Sequence, residues 1–253
     1  MQSNLYKKSI QTFTGREFNL LDPSGNVCDI RDIAHALSNI GRYCGHTRVH
    51  YSVAQHCVQV SYLVPRHLRL EGLLHDSPEA YIGDVAKPLK ELLPDYKTVE
   101  SRMEEFVLGC FGIDAHAMPP EIKTADVISL VTEQRDLMHG PDPVIMKAYG
   151  VQPLAKRIRP LTPRKAEKLF LNRYYEIMAD LAVETFLTRC KNIPVLEQME
   201  AARPASFKSL IARMAPTRAL THRSRWNSKS RAPLNASAHE LLRRSTSRIA
   251  QHA

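Results

Sequence analysis

The sequence is short of several features that would fix its class at once. Its five cysteines, Cys28, Cys44, Cys57, Cys110 and Cys190, are odd in number, widely spaced and never arranged as CxxC. This argues against a disulfide framework and against a zinc ribbon, and the cysteines read as reduced thiols. No apolar run approaches the roughly 18 residues of a membrane span, and the opening MQSNLYKKSIQTFTGREF has no apolar stretch behind its lysines. A membrane span and a secretory signal are therefore not expected, and a cytoplasmic location is. No internal repeat is visible. With 253 residues, 43% of them hydrophobic and 24% charged, the chain has room for one sizeable core rather than two full domains.

Negative charge is absent from one region in particular. Residues 1–200 hold 24 Lys and Arg against 25 Asp and Glu, a formal −1, whereas residues 201–253 hold 11 Lys and Arg against the single Glu240, a formal +10. The basic pI thus describes a tail and not the folded part, so it does not mark the fold as a nucleic-acid-binding surface. Arg, Ser, Ala and Pro dominate from about residue 194, and the expectation for 194–253 is a basic, disordered tail. Spread cations of this kind suit non-specific contact with nucleic acid, and the scarcity of aromatics points away from base-specific readout.

What remains reads as helical. The segment REFNLLDPSGNV places a turn at Asp22–Asn26 between two short apolar pieces, so residues 1–28 form an extended preamble with a hairpin expected there. From Asp29, the residues Ile30, Ile33, Ala34, Leu37 and Ile40 fall on one helical face. Val53, Cys57, Val60 and Val64 form a second stripe, stopped by Pro65, and a third helix runs from Arg66 to Leu74. Further helices begin beside the prolines of PDYKTVESRMEEFVLGCFG and PPEIKTADVISLVTEQRDLM. Residues 138–161 read as a Pro- and Gly-rich loop. A long helix follows, capped by Thr162 and burying Leu169, Phe170, Tyr174, Ile177, Leu181 and Phe186. The expected architecture is all-α, a helical bundle over 29–193 with the extended preamble before it.

Four residues of metal-ligand type stand on these helices: His56, the neighbours His75 and Asp76, and Asp126. Adjacent residues reach one ion only where a helix ends, and Pro78 ends the third helix close to His75. Three packed helices would then bring two imidazoles and two carboxylates to one divalent ion. Each residue also has a plain alternative as a satisfied core or surface group, and spacing alone does not decide between the two.

The order of the residues adds a resemblance. The segments HTRVHYSVAQHCVQVSYLV, LEGLLHDSPEAYIGDVAKPLK and IKTADVISLVTEQRDLM resemble the HD-domain phosphohydrolases, whose motif is H…HD…D, over about residues 29–185. They are most similar to the bacterial and phage branch of 5′-deoxynucleotidases and deoxynucleotide triphosphohydrolases. The resemblance implies an HD-domain bundle in which His56, His75, Asp76 and Asp126 hold one divalent metal ion, with Mn, Co, Zn, Fe or Mg as candidates. It implies that Glu79 handles the proton of the attacking water and that Asp84 contacts the sugar or positions the site. By the same resemblance Arg42 meets the phosphate and Tyr43 lines the nucleoside pocket. Cys57 stands where Ser is common, Ser77 where Ala is common, and the tail has no counterpart.

The expected function is hydrolysis of small nucleotides, chiefly removal of the 5′-phosphate from deoxynucleoside monophosphates. Arg48, His46 and His50 near Arg42 keep a triphosphohydrolase as the alternative. A catalytically silent nucleotide- or nucleic-acid-binding protein is the alternative of another class. Association of copies of the chain is left open.

Overall fold

The computed structural model describes residues 8–191, with side chains through 188. The basic tail expected over 194–253 lies outside the described residues. Among the described residues no helix is long and apolar enough to cross a membrane.

The chain opens with strand β1 (Ser9–Gln11) paired antiparallel to β2 (Glu17–Asn19), with Ile10 opposite Phe18. The hairpin turn spans Thr12 to Arg16, where Gly15 takes the positive φ of 83° that closes it. It therefore lies upstream of the turn read from Asp22–Asn26. That segment instead forms one 3-10 turn, Pro23–Gly25, because Asp22 caps it and Pro23 pre-sets its first position. The hairpin is tied to the helical body by Phe18, which is 1% exposed and stacks on Tyr81 at 3.8 Å. Thr14 adds two hydrogen bonds, donating from its amide and its hydroxyl to the Asp32 carboxylate at 2.7 and 2.9 Å.

Everything after the hairpin is helix and connection, as the apolar periodicity predicted. Helix α1 (Ile30–Asn39) is capped by Asp29 and buries Ile33, Ala34 and Leu37. Helix α2 (Val53–Leu63) is capped by Ser52 and has its stripe of Val53, Cys57 and Val60 fully buried. A 3-10 turn at Arg66–Leu68 leads into α3 (Arg69–Leu74), followed by the short helices α4 (Glu79–Ile82) and α5 (Lys87–Lys90). Then come α6 (Pro94–Gly109), α7 (Pro120–Leu137), α8 (Pro143–Tyr149) and α9 (Pro163–Lys191).

Helix α2 is central, packing against α1, α3, α7 and α9. The approach of α3 to α2 is closest at Gly72, where an added Cβ would stand 3.2 Å from the Ser61 Cα and 3.0 Å from the Val64 side chain. A side chain here would push α3 away, and His75 sits three residues further along.

Two expectations need correction. The stretch 138–161 is not all loop, because Asp142 caps α8, Pro143 starts it and Gly150, at φ 62°, ends it. In α9, Phe170 and Ile177 are buried as expected, but Phe186 is 65% exposed. At about 1.5 Å per residue the 29-residue helix outruns the elements it packs on, so its last apolar side chains find no neighbour among the described residues.

Candidate metal centre

His56 projects from the middle of α2 and is fully buried. Helix α3 stops at Leu74, and the chain turns through His75–Pro78 before α4 begins, with Ser77 N–H donating to the Leu74 carbonyl at 2.8 Å. Ending the helix here lets two successive side chains, His75 and Asp76, face the same point. Asp126 reaches it from the first half of α7.

The four donors converge. His56 Nε2 lies 3.3 Å from His75 Nε2, 3.3 Å from Asp126 Oδ1 and 3.5 Å from Asp76 Oδ2, and His75 Nε2 lies 3.2 Å from Asp76 Oδ2. Donors held at roughly 2.1 Å from one ion stand about 3 Å apart in neighbouring positions, so the spacing suits a shared ion. Asp76 Oδ2 is buried and makes no hydrogen bond although both imidazoles are beside it. Groups able to hold a metal ion are present in two overlapping sets, His56 with His75 and Asp126, and Cys57 with His75 and Asp76.

The outer ring nitrogens fix both imidazoles. His56 Nδ1 is 2.6 Å from Glu133 Oε1, and His75 Nδ1 is 3.0 Å from the Gly72 carbonyl. Carboxylate and carbonyl oxygens only accept, so each Nδ1 carries the proton and each Nε2 is the atom turned to the centre. Glu133 is itself fully buried. Its Oε1 also accepts from the Ser129 hydroxyl at 3.1 Å, and Gln59 donates to that hydroxyl at 2.7 Å. Its Oε2 faces Arg42 Nε at 3.4 Å, and Arg42 Nη1 is 3.8 Å from Asp76 Oδ2.

Proton affinities follow from this arrangement. Burial and the Arg42 charge both disfavour a charged His56, but the Glu133 and Asp126 carboxylates outweigh them and bring it up to about 9. Burial opposes ionisation of Asp76, Asp126 and Glu133, yet the facing imidazoles hold all three below the usual carboxylate range, with Arg42 also acting on Asp76 and Glu133 and Lys123 on Asp126. Glu79 is the exception. Burial, with Asp76 and Asp84 as like charges, pushes its carboxyl well up, and its Oε2 is buried without a hydrogen-bond partner. Asp84, just beyond α4, is raised mainly by burial.

The predicted substrate residues lie close by in a distorted turn. Residues Arg42–Gly45 form a 3-10 turn in which Tyr43 and Cys44 adopt φ of 55° and 51°. Two successive left-handed residues other than glycine are costly, and such strain collects where a side chain must be aimed. The turn is held by the Tyr43 hydroxyl donating to the Leu130 carbonyl at 3.2 Å.

No family model matches the chain. It is 39% identical over 173 residues to the uncharacterized protein YfdR of Escherichia coli, an alignment covering 66% of this chain and 94% of that protein. The chain belongs to the YfdR family. A second member, an uncharacterized protein of Rhodobacter capsulatus, is 33% identical over 193 residues, 67% of this chain and 95% of that protein.

In this member of the family, the sequence reading brought the four ligands together but missed what supports them. Glu133 and Ser129 were not singled out, although they lie seven and three residues after Asp126, on the same face of α7. Lys123, three residues before Asp126, was also passed over, and it donates to Asp126 Oδ2 at 2.8 Å. Two of the cations near Arg42 are tied elsewhere. Arg48 bonds the Leu137 and Asp136 carbonyls at the far end of α7, and His50 Nε2 meets the Ser38 carbonyl at 3.2 Å.

Proposed function

We propose that the chain is a metal-dependent phosphohydrolase of the HD type that removes the 5′-phosphate from deoxynucleoside monophosphates. The observation that carries this reading is the pairing of the four-donor cluster with Glu79, a buried carboxyl with a raised proton affinity and an unpartnered Oε2. A bound divalent ion, with Mn, Co, Fe, Zn or Mg as candidates, would lower the pKa of a coordinated water and polarise the phosphoryl oxygens.

The remaining work falls to the protein. His56 and His75 offer neutral Nε2 atoms because Glu133 and the Gly72 carbonyl hold their other nitrogens. Asp76 and Asp126 supply the negative charge. Glu79 Oε2 takes a proton from the attacking water and returns it to the leaving oxygen, a task suited to a carboxyl whose pKa is raised toward neutrality. Asp84 and Tyr43 border the side on which a nucleoside would lie.

Monophosphates are favoured over triphosphates by the placement of charge. Arg48 is anchored ten or more residues beyond Asp126 on α7, roughly 15 Å away along the helix, and His50 is turned to α1. The cations that would meet a second and third phosphate are thus not gathered at the centre. A silent binding protein is disfavoured because binding alone needs no unpartnered carboxyl beside the donors.

The test is a phosphate-release screen of nucleoside mono- and triphosphates with Mn, Co, Zn and Mg. Release of orthophosphate from deoxynucleoside monophosphates is expected. Release of inorganic triphosphate would favour the alternative activity, and no release with any ion would leave the silent binder.

A further inference from the structure

Arg42, Lys90 and Lys123 are the cations whose charges reach the centre's carboxyl groups, and they are engaged in different ways. The Arg42 side chain is only 12% exposed, and its guanidinium faces Glu133 and Asp76. Turning it outward to a phosphate would leave the buried Glu133 without its cation, an outcome that burial makes costly. Lys90 bonds Glu100. Lys123 is 60% exposed, and the bond to Asp126 is the one its ammonium makes.

The two oxygens of Asp126 face different neighbours. Oδ1 is turned to His56 Nε2 at 3.3 Å, and Oδ2 accepts from Lys123 at 2.8 Å. Glu133 and Arg42 therefore form the buried floor of the centre, and Lys123 stands on its solvent side. An ammonium group has three donors, so one bond to Asp126 leaves two for phosphate oxygens. Its flexible, hydrated stem can follow a phosphate without leaving a buried charge unpaired.

We infer that Lys123 is the cation that binds the substrate's phosphate beside the metal position, a role that the family resemblance alone would give to Arg42. The inference rests on the phosphohydrolase reading. The plainer account is a helix-surface pair at i and i+3, which would contribute little and bind nothing.

Inorganic phosphate and Mn²⁺ separate the two. With the full chain loaded with Mn²⁺, phosphate affinity is measured by calorimetry and by paramagnetic broadening of the phosphorus resonance, and Mn²⁺ affinity is measured separately. K123Q should weaken phosphate binding about tenfold or more, K123R should stay within about threefold of wild type, and Mn²⁺ affinity should be unchanged in both. Phosphate affinity of K123Q within twofold of wild type would overturn the inference. So would a parallel loss of Mn²⁺ affinity, which would mean that Lys123 only props Asp126, and so would a wild-type chain that binds no phosphate. If phosphate binding depends on Lys123 while no nucleotide is hydrolysed, the phosphohydrolase reading fails and the anion site stands.

Discussion

Replacing Glu133 by Gln removes one negative charge from the floor of the centre while almost preserving shape. The amide oxygen can still accept from His56 Nδ1 at the present 2.6 Å, so the imidazole need not turn. Arg42 fares worse. Its partner oxygen at 3.4 Å becomes neutral, and the nearest remaining carboxylate is Asp76, whose Oδ2 is 3.8 Å away. The guanidinium should move toward Asp76 and compete for the oxygen that faces both imidazoles. Breaking a buried pair on one side costs about 3–5 kcal/mol, and in a domain of this size that is a melting-temperature loss of roughly 6–20 °C. Loss of such supporting contacts also weakens metal binding about 10- to 100-fold. Chelator competition with Mn²⁺ or Co²⁺, run on protein shown to be folded by circular dichroism, measures the second effect. A folded E133Q protein with metal affinity within twofold of wild type would refute the argument that Glu133 controls the centre.

Asp76→Ala removes the donor shared by both imidazoles and by Arg42, and should abolish metal retention and hydrolysis together, as read by elemental analysis and phosphate release. Glu79→Gln should lower turnover roughly a hundredfold or more with metal content and nucleotide affinity near normal, because the amide cannot take up the proton; a variant keeping more than about half of wild-type turnover would remove Glu79 from the mechanism. Metal binding should tighten about tenfold per pH unit between 7 and 8.5, since the ion must displace the proton that the metal-free His56 keeps up to about 9. In the metal-free chain the same raised value means stabilisation fully present below the ordinary 6.5 and lost as pH rises through about 9, which urea melts across that range would detect. Phe170→Ala, which empties a fully buried position on α9, should cost about 3–5 kcal/mol in denaturant melts.

The helices and four metal-ligand positions were legible because both are local. Apolar spacing sets which face of a helix is buried, and the stripes on α1 and α2 are buried as that spacing requires. The Leu-Leu-His-Asp-Ser-Pro order marks a helix end, and there the chain does turn. Local signals misled where two turns competed, so the hairpin was assigned to Asp22–Asn26 when Gly15 closes it upstream. The helix α8 carried its own signals in Asp142, Pro143 and Gly150, which the composition of the surrounding stretch obscured.

The sequence by itself determined the helical periods, the donor types and their order along the chain. Tertiary structure decided which faces meet. Glu133 is 77 residues from His56 and 91 from Arg42, and no periodicity reports a pairing over that distance. The absence of a side chain at Gly72 brings α3 against α2 and so His75 to His56, a contact whose need for glycine is invisible until the two helices are packed. Cations that look equivalent in sequence separate in the same way: Arg42 is committed to a buried carboxylate, Arg48 to the far end of α7, and Lys123 to the solvent side of Asp126. The physical reason is that charge acts through distance and burial, and both are set only when the helices close on one another.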